Sequence, residues 1–213
     1  MTKSRKSKSQ IIAQGAEAIL IRNGKILKKN RIKKGYRHPE LDSILRTWRT
    51  RHESKIMERA SKIIPVPKIG ETTEHEIEMD FIPGQRLSQC LDSLPEKKSL
   101  EICRKIGQQV SKIHQSNIIH GDLTTSNMIL SKNKNKEAIY FIDFGLSFHS
   151  QRIEDKAVDL HLIKQAFESK HFRKAGKYLK SILEGYTKSN PESALVLKQL
   201  EKVESRGRYK GKH

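Results

Sequence analysis

His120-Gly121-Asp122-Leu123-Thr124-Thr125-Ser126-Asn127, followed by Asp143-Phe144-Gly145, is the stretch whose reading decides the fold. An aspartate and an asparagine stand five positions apart on one loop, and a second aspartate follows just past a β-hairpin. Phosphoryl-transfer chemistry uses this set: one carboxylate near the reacting oxygen, and an amide with a carboxylate on magnesium. Asp122 is therefore the candidate catalytic carboxylate, placed to accept or orient the proton of an attacking hydroxyl or water. Asn127 and Asp143 offer the hard oxygen donors that magnesium prefers. His120 reads as a brace for the loop. The spacings of His114 and His120, and of His149 and His161, do not suggest zinc.

Upstream of this stretch the chain is β-rich. Apolar runs from Ile11 to Leu27 surround Arg22-Asn23-Gly24-Lys25, a strong hairpin signal. Residues 25–37 hold seven cations and no acid. After Pro39, Leu41, Ile44, Leu45 and Trp48 recur at helical spacing, and the period continues through Ile56, Met57 and Ala60 until Pro65 and Pro67. Glu53 shares the face of Ile56, Met57 and Ala60, so it points inward and requires a cation. Strand alternation lets only one of Lys28 and Lys29 turn inward; Lys29 is the favoured partner, able to hold nucleotide phosphates against Glu53. Gln14-Gly15-Ala16-Glu17-Ala18 joins the first two strands. Gly15 permits a close backbone approach to phosphates, although a lone glycine reads more readily as a plain turn.

Downstream the chain turns helical. A strand over Glu76 to Ile82 breaks at Pro83-Gly84, a lobe boundary. Leu100, Cys103, Ile106, Val110 and Ile113 predict an amphipathic helix leading to Ile118-Ile119. Met128 to Leu130 and Ala138 to Ile142 predict strands joined by a polar turn, Ser131 to Lys136. Beyond Asp155, Val158, Leu162, Ile163, Ala166 and Phe167 form one expected core stripe, and Tyr178, Leu179, Ile182, Leu183 and Tyr186 another. The expected organisation is a disordered basic arm (1–10), a β-rich lobe with its hinge (11–82), a helical lobe (83–204) and a basic tail of little helix propensity (205–213).

Composition bounds the partners. The 213 residues suit one domain or two small lobes. A net charge of +19, from 43 Lys+Arg against 24 Asp+Glu, points to a polyanionic partner, or else to a lysine-rich proteome. Arg206, Arg208, Lys210 and Lys212 of the tail, with Lys33, Lys34 and Arg37, are the candidate RNA contacts. No apolar run approaches membrane-spanning length, so no membrane partner is expected. Cys90 and Cys103 have no metal-like spacing, and a reduced, cytoplasmic protein is the simplest reading.

Taken together, the strand lysine, helix glutamate, HGD…N loop and DFG resemble the protein-kinase-like superfamily over residues 11 to 170. Gln14 to Ala18, Lys29-Asn30-Arg31, Lys34 to Pro39, His120 to Asn127 and Asp155 to Leu160 resemble the small atypical kinases of the KEOPS (EKC) complex. That resemblance implies an α+β, two-lobed, RIO-like kinase fold with a short helical C-lobe. It implies ATP and Mg2+ as cofactors, ATPase activity with serine/threonine autophosphorylation in isolation, and a role in threonylcarbamoyladenosine formation in tRNA. Implied partners are a threonylcarbamoyl-transferase subunit, a small subunit docking on the N-lobe, and tRNA. Gly15, Glu17, Lys29, Glu53 and the hinge residues Met79, Asp80 and Ile82 would then hold the nucleotide. Asp159 follows Asp143 by only 16 positions, with no Ala-Pro-Glu motif between them, so an activation segment scarcely fits. Thr124 also replaces the catalytic-loop lysine of ordinary kinases. The alternatives are a RIO-type ribosome-assembly ATPase, expected to carry an N-terminal winged-helix module, a small-molecule phosphotransferase, and a non-catalytic kinase-like scaffold that binds tRNA.

Overall fold

The protein is described by a computed structural model over residues 9–133 and 136–208. Most of the expected basic arm lies outside the described residues, and Gln10, its last residue, already opens the first strand. Strands β1 (Gln10–Gln14), β2 (Ala18–Asn23) and β3 (Ile26–Arg31) form an antiparallel meander. The β2–β3 loop is Gly24-Lys25, because Asn23 pairs directly with Ile26. Gly24 sits at φ 62°, and glycine at the first central position gives a turn whose twist matches the strands.

Helix α1 (Pro39–Ala60) begins with a proline whose missing N–H would have no helical partner there, and carries Glu40 and Asp42 in its first turn. It packs on β4 (Ile69–Thr72) and β5 (Glu76–Asp80), which complete a five-stranded sheet of order β1-β2-β3-β5-β4. Ile56, Met57 and Ala60 of α1 are buried, but Leu41, Ile44 and Trp48 face solvent at 51%, 65% and 61% exposure. The helical period is as expected, while its N-terminal apolar residues lie off the core.

The helical lobe follows through β6 (Gln85–Arg86), α2 (Leu87–Cys90) and α3 (Glu96–Gln115). Next come β7 (Ile118–Ile119), β8 (Met128–Asn133), β9 (Lys136–Phe141) and β10 (Phe148–His149). Strands β6, β8 and β9 form one small sheet, and β7 with β10 another. Strand pairing runs through most of Ser131 to Lys136, which the sequence predicts as a turn. Helices α4 (Ile153–Lys170), α5 (Ala175–Ser189) and α6 (Ser193–Arg208) complete the chain. Helix α6 runs through the first four residues of the expected tail, correcting its low helix propensity, and 209–213 lie outside the described residues.

Helices α3 and α5 hold the centre of this lobe, with Ile102, Ile106, Val110 and Ile113 facing Tyr178, Ile182 and Tyr186, all fully or almost fully buried. They approach so closely that a Cβ on Gly107 would lie 1.9 Å from the Ile182 carbonyl oxygen. The α4 core stripe is rotated from expectation. Ala157, Leu160, Ile163 and Phe167 are buried, whereas Val158 is 40% exposed. Two polar residues of α4, Lys156 and Asp159, are buried beside that stripe and turn the helix away from its purely apolar phase.

Candidate active site

Strand β3 presents Lys29 and Arg31 on one face, two residues apart, as strand periodicity requires. Lys28 lies on the other face, paired with Glu76 and Glu78. Lys29 Nζ is 2.7 Å from Glu53 Oε1 and 2.8 Å from Asp143 Oδ1. Glu53 is 1% exposed, and its second oxygen takes the Arg31 guanidinium at 2.5 Å. Lys29 and Arg31 thus balance Glu53 and Asp143, which allows Lys29, Arg31 and Glu53 to be buried while Asp143 stays half exposed. Burial works against the charged form of Lys29, but the neighbouring Glu53 and Asp143 outweigh it and raise its pKa. Burial likewise resists ionisation of Asp143, and Lys29 outweighs it, so the Asp143 carboxyl titrates below the usual range.

The loop after β7 is held from several sides. Asp159 of α4, 1% exposed, accepts the backbone N–H groups of His120 and Gly121 at 2.8 and 2.9 Å. It also meets His114 Nε2 at 3.1 Å, and His114 Nδ1 faces the Tyr186 hydroxyl at 3.0 Å. Gly121 needs its left-handed φ of 78° and has no room for a side chain, since a Cβ would lie 2.4 Å from the Leu146 oxygen. Asn127 donates its amide to the Asp122 carboxylate (2.8 Å) and main-chain oxygen (3.1 Å), which leaves the Asn127 carbonyl oxygen available to a cation. The ring of His120 tilts against Phe144 at 4.7 Å between centroids. The Ser147 hydroxyl donates to the His120 carbonyl at 2.7 Å. The HGD loop and the DFG turn are therefore packed and hydrogen-bonded to each other. Asp143 itself adopts φ 62°, a sparsely populated conformation held by these surroundings.

Lys29, Glu53 and Asp143 are brought into one cluster, and Asp122 is linked to Asn127. Met79 is buried at the end of β5, Asp80 is exposed and Ile82 half-buried. Ile82 N–H has no hydrogen-bond partner among the described residues, whereas Phe81 N–H donates to the Lys25 carbonyl at 2.8 Å. Gly15 and Glu17 make no polar contact with the cluster. Gly15 has an ordinary φ, and a Cβ there would make only an ordinary contact, 3.9 Å from the Ala18 carbonyl oxygen, so the turn does not require glycine. Glu17 instead pairs with Arg49 at 2.8 Å and Lys34 at 3.7 Å. Among the RNA-contact candidates, Lys34 is thus engaged within the lobe, Arg37 lies 3.6 Å from Asp42, and Arg206 lies 2.7 Å from Glu154. Lys33 is exposed without an ion pair among the described residues. The side chain of Arg208, and Lys210 and Lys212, lie outside the described residues. Sequence reasoning missed Arg31 as the second cation on Glu53, although its position two residues beyond Lys29 carried the signal. It also passed over the link of His171 to Asp92 and Thr125, at 2.8 and 3.1 Å.

The β-sheet lobe, the helical lobe and this site define an atypical kinase domain without an activation segment, since only residues 146–152 separate the DFG from α4. The RIO domain model matches residues 17–179. The KEOPS complex subunit Bud32 of Pyrococcus abyssi is 42% identical over 87% of this chain and 85% of its own. The EKC/KEOPS complex subunit bud32 of Dictyostelium discoideum is 37% identical over 94% and 83%. The chain therefore belongs to the RIO-domain family, on the branch of the Bud32 subunits. A probable bifunctional tRNA threonylcarbamoyladenosine biosynthesis protein of Methanococcus vannielii is 40% identical over 98% of the chain, which spans 38% of that longer protein. A Rio2 kinase from Chaetomium thermophilum, crystallised as an ADP/Mg2+–phosphoaspartate complex, shares the fold at TM-score 0.63 and 15% identity, over 95% of this chain and 71% of that one.

Proposed function

We propose that the cleft binds ATP with magnesium and hydrolyses it in support of threonylcarbamoyladenosine formation in tRNA, within a KEOPS complex. The carrying observation is the Lys29 ammonium fixed between Glu53 and Asp143, with Asp122 held by Asn127. Lys29 orients the α- and β-phosphates, and Asp122 takes the proton of the attacking water or hydroxyl. Asp143 and the free oxygen of Asn127 form the small oxygen donor set that magnesium takes alongside substrate phosphates. When bound, the ion neutralises charge on the phosphates. Met79, the Asp80 carbonyl and the Ile82 N–H meet the base, while Gly15 and Glu17 border the phosphate end. Isolated protein autophosphorylates on serine or threonine, a minor outlet of the same site.

The longer bifunctional relative, with its biosynthetic name, supports a threonylcarbamoyl-transferase subunit as partner. The solvent face of α1 supports the docking of a small subunit on the N-lobe. Ile44, Trp48, Arg51 and Lys55 line a groove of about 440 Å³ there. Net charge of +19 favours tRNA as the polyanion, with Lys33 and the C-terminal basic residues at its phosphates. Buried free Cys90 and Cys103 suit a reducing, cytoplasmic setting, and no described helix is long and apolar enough to cross a membrane. Phosphate release by Asp122→Ala and Asp143→Ala tests the chemistry: each should fall by about 100-fold or more, and wild-type rates in both would remove the site. Co-purification of a threonylcarbamoyl-transferase subunit from native extracts tests the setting. Filter binding of tRNA across a salt series, with and without residues 205–213, tests the tail: unchanged affinity and slope would exclude it.

A further inference from the structure

Arg31 has no part in the cleft chemistry described above, yet it is 6% exposed and spends its charge on Glu53. Lys29 alone would serve Glu53 poorly, because its ammonium is shared with Asp143 at 2.8 Å. Arg31 takes the second Glu53 oxygen at 2.5 Å and reaches the Arg49 carbonyl of α1 at 3.4 Å. The same junction is tied a second time. Asp42, wholly buried, accepts Arg46 Nε at 2.7 Å and the Lys34 backbone N–H at 3.2 Å. Arg46 in turn reaches the Arg31 carbonyl at 3.5 Å. Swinging α1 away would strand Glu53 and Arg31 as unpaired buried charges, which is strongly unfavourable. Protein kinases regulate the lysine–glutamate pair through the helix position and an activation segment. Here residues 146–152 leave no such segment.

We propose that Arg31 is a positioning residue that locks α1 against β3 before nucleotide arrives, so that Lys29 and Glu53 are permanently paired without an activation segment. This inference rests on the ATP-dependent reading of the cleft. Without Arg31, α1 becomes a two-state element, and only the docked state binds nucleotide well. The apparent affinity then falls by the docked fraction, while saturating ATP restores that state and with it the rate.

The test measures the ATP dissociation constant and kcat, and amide hydrogen exchange over residues 50–57 with and without nucleotide, in wild type, Arg31→Met and Arg31→Lys. In Arg31→Met the dissociation constant should rise about 5- to 20-fold with kcat within about twofold. Exchange in α1 should speed up without nucleotide and recover with it. Arg31→Lys keeps the charge but loses the planar fork, so it should fall between the two. Folded Arg31→Met with wild-type affinity and exchange overturns the proposal. So does a fall in kcat at constant affinity, the mark of a merely smaller folded fraction. If Arg31→Met fails to fold, Arg31→Lys decides by the same readouts, wild-type values in both overturning the proposal. Asp143→Asn separates the two layers: full hydrolysis by it removes the cleft reading, whereas an inactive Asp143→Asn beside wild-type-like Arg31 variants removes only the lock.

Discussion

Lys29 Nζ lies 2.8 Å from Asp143 Oδ1, so strand β3 and the DFG turn are joined by an ion pair. Partial burial of the Asp143 carboxyl works against its ionisation, but Lys29 outweighs this and depresses its pKa. A depressed carboxylate contributes stability above its unfolded value, near 3.9, and loses it as pH falls through the lower folded value. Asp143→Asn should therefore cost stability at pH 7, and its deficit should close below about pH 4. The side chain is half exposed, so screening keeps the deficit at about 1 kcal/mol or less. Urea midpoints of both proteins at pH 3, 5 and 7, without magnesium, check this; a gap as wide at pH 3 as at pH 7 contradicts it.

Asp159 should matter more for stability than any residue that faces the cleft. It answers three buried donors: His120 N–H, Gly121 N–H and His114 Nε2. A buried donor left without an acceptor costs about 1–3 kcal/mol. Water admitted by a shortened side chain recovers part of that, so Asp159→Ala should lose about 3–5 kcal/mol by chemical denaturation. Turnover should fall as well, because these bonds hold Gly121 in its left-handed conformation next to Asp122. A loss below 1 kcal/mol would show that the loop is braced elsewhere.

What could be read in the sequence was local. The HGD…N loop is a run of neighbours, and Glu53 shares a helical face with Ile56 and Met57, so each needs only one element's periodicity. Strand alternation required that only one of Lys28 and Lys29 meet Glu53, but which one depends on how the strand faces α1; Lys29 does so at 2.7 Å, and Lys28 turns to Glu76 and Glu78. Arg31 was equally close to hand, but its value depends on how α1 crosses β3, a tertiary fact. The α4 stripe was misphased because Lys156 and Asp159 are buried against groups from other elements, Lys156 facing Glu192 at 2.6 Å. Apolar periodicity cannot see such partners. Leu41, Ile44 and Trp48 kept helical spacing while facing water, since spacing reports a face and not what covers it.

Gly107 sits where α3 meets α5, and two effects oppose each other on Gly107→Ala. Alanine in a helix interior gains about 1 kcal/mol of propensity over glycine. The new methyl, however, would lie 1.9 Å from the Ile182 oxygen and 2.8 Å from the Tyr186 nitrogen, both backbone atoms that cannot rotate aside. Overpacking a close core costs about 1–3 kcal/mol, occasionally more, and a clash with helix backbone belongs at the top of that range. The steric term wins, and thermal or urea unfolding should show a net loss of about 2 kcal/mol. A stabilised variant would mean that the helices are free to separate.

His120 should set the acid edge of both stability and turnover. It is fully buried against Phe144, and burial pushes its pKa below the usual histidine value despite the nearby Asp159, Asp122 and Asp143. The unfolded chain takes up a proton near pH 6.5 that the folded one refuses. Stability is therefore complete above about pH 6.5 and declines as pH drops toward the folded value, by up to about 1.4 kcal/mol per unit. The neutral ring also accepts the Asp122 backbone N–H through Nδ1 at 3.3 Å, a bond that protonation removes. His120→Asn keeps a polar side chain without the titration, so its unfolding free energy should be flatter than wild type between pH 5 and 6.5. Parallel slopes in the two proteins over that window would assign the acid edge to another group.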